Sequence, residues 1–294
     1  MKDRIRTWIY ATRPHTLGAS IAPMLILLGA LLAEDNMHWG LYLLAFIVAV
    51  TAQISSNFAN DYFGYKSGED TDQRIGFSRL LTTGEVTPKQ MLMALGLSLS
   101  VCAIAGISLV ALTNWWLIAI GAIVVIGVIA YSATPYSLSR TALGDFAVVL
   151  FYGLVPILAA YYAIAACRPP FYLILLALGI GLWEANILVC NNYRDYTEDM
   201  ESGKRTLIVR MGRRSGPMLY LINALLTLVF LIIGLGNEGS WVGAIVVGIV
   251  GLLLFGNGYL AIRRLKGRSL NKLLRYTNMT TLIIGVVIMC SLLS

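Results

Sequence analysis

Charge is scarce in this 294-residue sequence: Asp, Glu, Lys and Arg make up 13% of it, against 58% hydrophobic residues. So thin a polar complement excludes an ordinary water-soluble domain. Histidine is rarer still, with only His15 and His38, which excludes a histidine-built zinc or di-iron centre. Any metal must therefore be held by oxygen. The four cysteines, Cys102, Cys167, Cys190 and Cys290, are dispersed with no C-x-x-C pair, so no disulfide framework is expected and they are read as small packing residues. No cleavable signal peptide is evident in MKDRIRTWIYATRP.

What the chain has in quantity is apolar runs. Nine stand out, at about 14–33, 39–62, 89–111, 115–133, 142–165, 171–193, 216–236, 240–262 and 271–293. Each approaches the roughly 20 residues that span a bilayer as a helix. Barrel strands would alternate instead, over about ten residues. The expected fold is all-α, a polytopic membrane bundle of nine transmembrane helices. Under this reading 21 of the 22 Lys and Arg residues fall on one side of the membrane, with only Arg168 opposite. The positive-inside rule makes that side, with the N-terminus, cytoplasmic. The net charge of +7 is thus a topology signal, and no nucleic-acid partner is read from it.

Acids collect in two places. In NFANDYFGYKSGEDTDQR, residues 57–74, Asp61, Glu69, Asp70 and Asp72 crowd together with Lys66 and Arg74 at the end of an apolar run. NNYRDYTEDMESGKRT, residues 191–206, repeats the theme with Asp195, Asp199, Lys204 and Arg205. Asn57-x-x-x-Asp61 and Asn191-x-x-x-Asp195 share one spacing and lie 134 residues apart, closing the second and sixth runs. The chain is therefore read as a single domain of two parallel four-helix halves, about 14–133 and 142–262, with a ninth helix at 271–293. Residues four apart share a helix face, so Asn57 and Asp61 point together, and Asn191, Asp195 and Asp199 form a similar stripe if the sixth helix continues that far. Carboxylates and amide oxygens without histidine are hard ligands suited to Mg²⁺, which binds through one or two carboxylates, water and substrate phosphate. The expected guest is a diphosphate, with Lys66, Arg74, Arg140, Lys204 and Arg205 offsetting its charge.

These two motifs, with ATRPHTL at 11–17, YSATPYSLSR at 131–140 and ALGD at 142–145, resemble the UbiA superfamily of intramembrane aromatic prenyltransferases along essentially the whole chain. Within it, QISSNFANDYFGYKSGEDTDQRIG, ALGDFAVVLFYG and NNYRDYTEDMESGKRTLIVRMG look most like the branch that prenylates 1,4-dihydroxy-2-naphthoate in menaquinone synthesis. The resemblance implies a nine-helix bundle around a central cavity capped on the cytoplasmic side, in a bacterial inner membrane. It implies Mg²⁺ as cofactor, and polyprenyl diphosphate and 1,4-dihydroxy-2-naphthoate as substrates. Asn57 and Asp61 match the helix-borne ligands of the first motif, and Asp195 and Asp199 match the second motif, with Asn191 a further metal-ligand candidate by its spacing. Many superfamily members carry N-D-x-x-D-x-x-x-D, where this chain has Gly64 and Gly68. Asp70 or Asp72 completes the first site, with Asp70 favoured.

Other residues draw attention. Glu184 lies seven residues before Asn191, inside the sixth run and on nearly the same face; an intramembrane acid is a candidate for acceptor contact or catalysis. Asp145 is a candidate hydroxyl contact or a helix N-cap. Asn60, Tyr131 and Arg140 are further substrate-contact candidates, and Tyr62 and Tyr65 could supply aromatic faces. Other aromatic acceptors (4-hydroxybenzoate, homogentisate, a chlorin or haem) and, more remotely, a secondary transporter are the competing readings. Transporter sites typically lie near the midplane between broken helices, whereas these acids cluster at one surface beside cations.

Overall fold

The computed structural model of the chain describes residues 2–68, 75–77, 79–133 and 137–294, and among them no β-strand forms. Inside a bilayer a helix satisfies each backbone N–H and C=O within its own segment, and this chain takes that solution throughout. The helices are α1 (Lys2–Ala11), α2 (Gly18–Ala33), α3 (Trp39–Lys66), α4 (Pro88–Leu112), α5 (Ile118–Ala130) and α6 (Leu143–Ala165). They continue with α7 (Phe171–Arg194), α8 (Tyr196–Glu201), α9 (Leu207–Met211), α10 (Ser215–Glu238), α11 (Trp241–Arg264) and α12 (Leu270–Leu292).

Every predicted run coincides with a helix, but the runs are not equivalent. Among the described residues seven helices are long and apolar enough to cross a membrane alone: α3, α4, α6, α7, α10, α11 and α12 with its preceding turn. An eighth span exists if α2 is counted with the segment before it, across a 58° bend, and the stretch Trp115–Ala130 is a shorter apolar helix. Length and composition thus reach seven or eight spans, where nine were expected. The chain is a multi-pass membrane protein.

Burial ranks the helices. In its apolar window α7 is 72% buried, against 22% for α4. The central helix α7 packs against α2, α6, α10 and α12, whereas α4 leans chiefly on α3. The outward face of α4 carries Leu92, Met93, Leu97 and Ile104 at 49–70% exposure, a contiguous apolar surface suited to lipid and not to water. At the end of the bundle remote from the acidic motifs, Glu34 after α2 accepts hydrogen bonds from Tyr161 of α6 and, at 2.5 Å, from Tyr172 of α7. One carboxylate there ties three helices.

Two local departures from regular helix position the site. Pro14 disfavours the right-handed helical conformation for the residue before it, and Arg13 adopts a left-handed backbone with φ 53°; the chain bends there between α1 and α2. In α6 the segment Leu150–Ala159 is wound as a wide-turn π-helix containing Pro156. Here α6 meets α7 at its closest, because a Cβ on Gly153 would lie 2.3 Å from the Ala177 carbonyl oxygen and one on Gly181 would lie 2.8 Å from that of Val149. Only glycine fits at this crossing. Gly153→Val should force the helices apart at an overpacking cost of about 1–3 kcal/mol, seen as a lowered thermal midpoint in detergent. Gly96→Ala in α4, where an added Cβ meets nothing within 4 Å, should not lower it.

Candidate active site

The α3 helix runs on to Lys66, which keeps Asn57, Asn60 and Asp61 in regular helix at its last turns. The α7 helix ends at Arg194, with Asp195 at the junction to α8. The expected stripe survives this break: Asp195 N donates to Asn191 O at 2.9 Å and Asp199 N to Asp195 O at 2.8 Å. Gly203, with φ 73°, then reverses the chain, and Lys204 returns its Nζ to Asp199 Oδ1 at 2.9 Å.

The two motifs face one cavity of about 240 Å³. Of the expected site residues, Asn57, Asn60, Asp61, Tyr131, Glu184, Asn191, Asp195, Asp199 and Lys204 line it. Asp70, Asp72 and Arg74 lie outside the described residues. Lys66, Arg140, Asp145 and Arg205 are not part of its wall. Lys66 is exposed at the end of α3. Arg140 instead donates Nη2 to Ser202 O at 2.8 Å and accepts at its own carbonyl from Arg205 N at 2.7 Å, pinning the 138–140 turn to the loop after the second motif. Asp145 sits in the first turn of α6, but the N-cap is Ala142, and Asp145 Oδ2 is buried without a hydrogen-bond partner.

Three arginines that spacing did not single out complete the electrostatics. Asp61 Oδ1 accepts from Arg13 Nη2 and from Arg79 Nη1, and Arg79 Nη2 reaches Asn60 Oδ1 at 2.5 Å. Arg194 grips Asp195 through Nε and Nη2, both at 2.6 Å, and extends Nη1 to Asn271 of α12 at 2.6 Å. Asp61, Asp195 and Asp199 are only 3%, 8% and 4% exposed; carboxylates so buried require such partners. Among the described residues the cavity mouth thus holds four cations, Arg13, Arg79, Arg194 and Lys204, against three aspartates. The sequence held a signal for two of them, since Arg13 lies in ATRPHTL and Arg194 directly precedes Asp195.

Asn57 has a second duty. Its Nδ2 donates to Thr12 O at 2.9 Å and to Thr16 Oγ1 at 3.3 Å, bracing the bend that presents Arg13. Its Oδ1 carries none of these bonds. The segment 75–77 is held from three directions: Ile75 N donates to Glu198 Oε1 at 3.3 Å, Asn271 Nδ2 to Ile75 O at 3.4 Å, and Phe77 packs between His15 and the Arg275 guanidinium. The first motif's loop therefore returns to the second motif and to α12.

The donor set suits a hard divalent cation, being carboxylate and amide oxygens with neither thiolate nor imidazole among the aspartates. Among the described residues no cluster of three or more His, Cys, Asp or Glu forms a ready-made metal cage, because each aspartate is turned to its arginine or lysine. Behind the polar chamber a second cavity of about 150 Å³ is walled mainly by apolar residues of α3, α5 and α6, including Val48, Val124, Phe151 and Val155. Gln53, Ser56, Tyr131 and Tyr152 border both. A charged mouth thus joins a greasy pocket through a short polar seam.

The model of the UbiA prenyltransferase family matches residues 22–288. A 1,4-dihydroxy-2-naphthoate octaprenyltransferase of Mycobacterium tuberculosis (strain ATCC 25618 / H37Rv) is 37% identical over 213 residues, 72% of each chain. The enzyme of that name from Escherichia coli (strain K12) is 34% identical over 218 residues, 71% of this chain and 70% of its own. Among solved structures, a UbiA homolog from Archaeoglobus fulgidus bound to GPP and Mg²⁺ superposes with a TM-score of 0.65 at 13% identity, over 96% of this chain and 99% of that one. The apo structure of a UbiA homolog from Aeropyrum pernix K1 gives 0.67 at 15% identity, over 90% and 97%.

The bidentate Arg194–Asp195 pair carries its own test. Arg194→Met removes the bidentate partner of a buried carboxylate and should destabilise the protein by about 3–5 kcal/mol. Adding Asp195→Asn should recover a large part of that loss. Thermal midpoints of the two single variants and the double variant measure the coupling.

Proposed function

We infer that this chain, which belongs to the UbiA prenyltransferase family, transfers a polyprenyl group from its diphosphate to 1,4-dihydroxy-2-naphthoate, the carboxyl group leaving as CO₂. The observation that carries the reading is the single cavity at which the ends of α3 and α7 converge, with three buried aspartates and four cations at its mouth. The relatives named for this reaction match most of the chain, and they set the acceptor apart from 4-hydroxybenzoate and the other candidates.

Asp61, Asp195 and Asp199, with the Asn57 and Asn191 oxygens and Asp70 or Asp72, would hold Mg²⁺, which when bound neutralises charge on a leaving diphosphate. The chain's own cations do the rest of that work. Arg13, Arg79 and Lys204 are tied to carboxylates in the structure; as those carboxylates turn to a ligand, the cations become available to diphosphate oxygens without leaving the cavity wall. Each buried charge keeps a partner throughout, which limits the desolvation cost. Breaking of the allylic C–O bond leaves the electron pair on the diphosphate, where these preorganised cations stabilise it. The apolar second cavity takes the prenyl tail and keeps water from the allylic cation. An electron-rich ring carbon then forms the new C–C bond. The tail enters sideways from the bilayer, and the mouth with the N-terminus faces the cytoplasm, by the charge bias of the loops.

Purified protein given Mg²⁺, a long polyprenyl diphosphate and 1,4-dihydroxy-2-naphthoate should release CO₂ and form a prenylated naphthoquinol, with far less turnover of 4-hydroxybenzoate. The reverse preference would replace the acceptor and leave the fold unchanged. Asp61→Asn and Asp195→Asn should insert normally yet lose most turnover, as should the wild type in EDTA until Mg²⁺ is restored. Lys204→Met should raise KM for the diphosphate about tenfold or more with little change for the acceptor; equal weakening of both would point to collapse of the loop.

A further inference from the structure

We propose that Glu184 is the acceptor-specificity residue of this cavity: its buried carboxyl receives the acceptor's ring hydroxyl that is not ortho to the carboxylate. The proposal rests on the function inferred above and adds the group that reads the acceptor.

Glu184 lies in the middle of α7, is 2% exposed, and lines the polar chamber, yet neither carboxyl oxygen accepts a hydrogen bond from the protein. The neighbouring Thr281 hydroxyl already donates to Thr277 O at 3.0 Å. Nor is Glu184 isolated in its need. Gln53 Oε1 and Asn278 Oδ1, on α3 and α12, are buried in the same wall and likewise lack donors. The Gln53 amide is oriented, because its Nε2 donates to Thr16 Oγ1 at 3.5 Å.

What these groups lack in common is a hydrogen. All are lone-pair acceptors, and leaving them unmet in a buried wall is costly. The two substrates differ on this point. A prenyl diphosphate brings oxygen acceptors and a hydrocarbon tail, so it offers the wall no donor. A dihydroxyaromatic acid brings O–H groups. In 1,4-dihydroxy-2-naphthoate the 1-hydroxyl sits ortho to the carboxylate and bonds to it internally, so the 4-hydroxyl is the donor left for the protein. Seating that hydroxyl on Glu184 turns the carboxylate toward Arg13, Arg79 and Lys204 at the mouth and lays the ring between them. Whether Glu184 is carried as the acid or the anion, it keeps a lone pair for this bond.

The test is equilibrium binding to detergent-purified full-length protein, by anaerobic calorimetry without prenyl diphosphate. The ligands are 1,4-dihydroxy-2-naphthoate and its 4-methoxy analogue, and farnesyl diphosphate with Mg²⁺ is titrated separately. The wild type should prefer the hydroxyl form by about tenfold or more. In Glu184→Gln, whose amide can also donate to a methoxy oxygen, the preference should fall below about twofold, with farnesyl diphosphate affinity unchanged. Gln53→Met should shrink the same ratio more modestly, and serves if Glu184→Gln does not fold. A full preference retained in the variants overturns the proposal, as does a parallel loss of all three ligands. If the wild type binds 4-hydroxybenzoate instead of the naphthoate, the inferred acceptor falls and the pair becomes 4-hydroxybenzoate and 4-methoxybenzoate. The specificity assignment then stands or falls on that ratio.

Discussion

A carboxylate buried in an apolar bundle is stable only beside a cation, and much of the architecture around the cavity serves that requirement. Asp61 draws in Arg13 from the bend before α2 and Arg79 from the segment before α4. Asp195 holds Arg194, which reaches on to Asn271 in α12. The first and last transmembrane elements are thereby fastened to the two motif helices by charge at the mouth, while apolar packing joins them along their length. A left-handed, non-glycine backbone at Arg13 is the local strain this arrangement tolerates. Asn57, bonded to Thr12 and Thr16, is what holds it in place.

The same pairing suits the site to a ligand that carries both signs. With more cations than aspartates at the mouth among the described residues, an anion is welcome; with the aspartates engaged by arginine or lysine, a bare divalent cation must compete for them. Under the proposed function, a metal ion arriving together with a diphosphate would meet neither obstacle in full, because each partner would release what the other needs. Electrostatic selection of this kind favours the complex over either component.

Much of this was legible in the sequence because it is local. Apolar runs located the helices, and the N-x-x-x-D spacing located Asn57, Asp61, Asn191 and Asp195 on the cavity face, since both depend only on helical period. Glu184 was placed on that face by the same arithmetic. What escaped was long-range or irregular. Arg13 and Asp61 are 48 residues apart, and no period connects them. Arg79 lies between two apolar runs and outside both acidic motifs, yet it is 8% exposed and paired with Asp61. Arg140 and Arg205 were expected as substrate contacts; neither lines the cavity, and the bond from Arg205 N to Arg140 O ties the 138–140 turn to the loop after the second motif. Composition suggested nine spans, while length and composition of the described helices reach seven or eight, because the helix from Gly18 to Ala33 passes only together with the segment before it, across a 58° bend, and the stretch Trp115–Ala130 is a shorter apolar helix.

The wide-turn segment of α6 has an implication for how such a cavity can be remodelled. A residue added to or removed from a regular helix rotates everything beyond it by about 100°. A π segment is a stretch in which extra residues are already absorbed. In α6 it separates the end that carries Asp145 and Val148 from the end that carries Ala160 and Tyr161. The two ends are therefore out of phase with a single continuous helix. The cavity-lining side chains can be re-aimed by insertion or deletion within Leu150–Ala159 while Tyr161 keeps its hold on Glu34. The helix behaves as two independently indexed rods on one axis, so the pocket can drift toward a new aromatic substrate without unfastening the far end of the bundle.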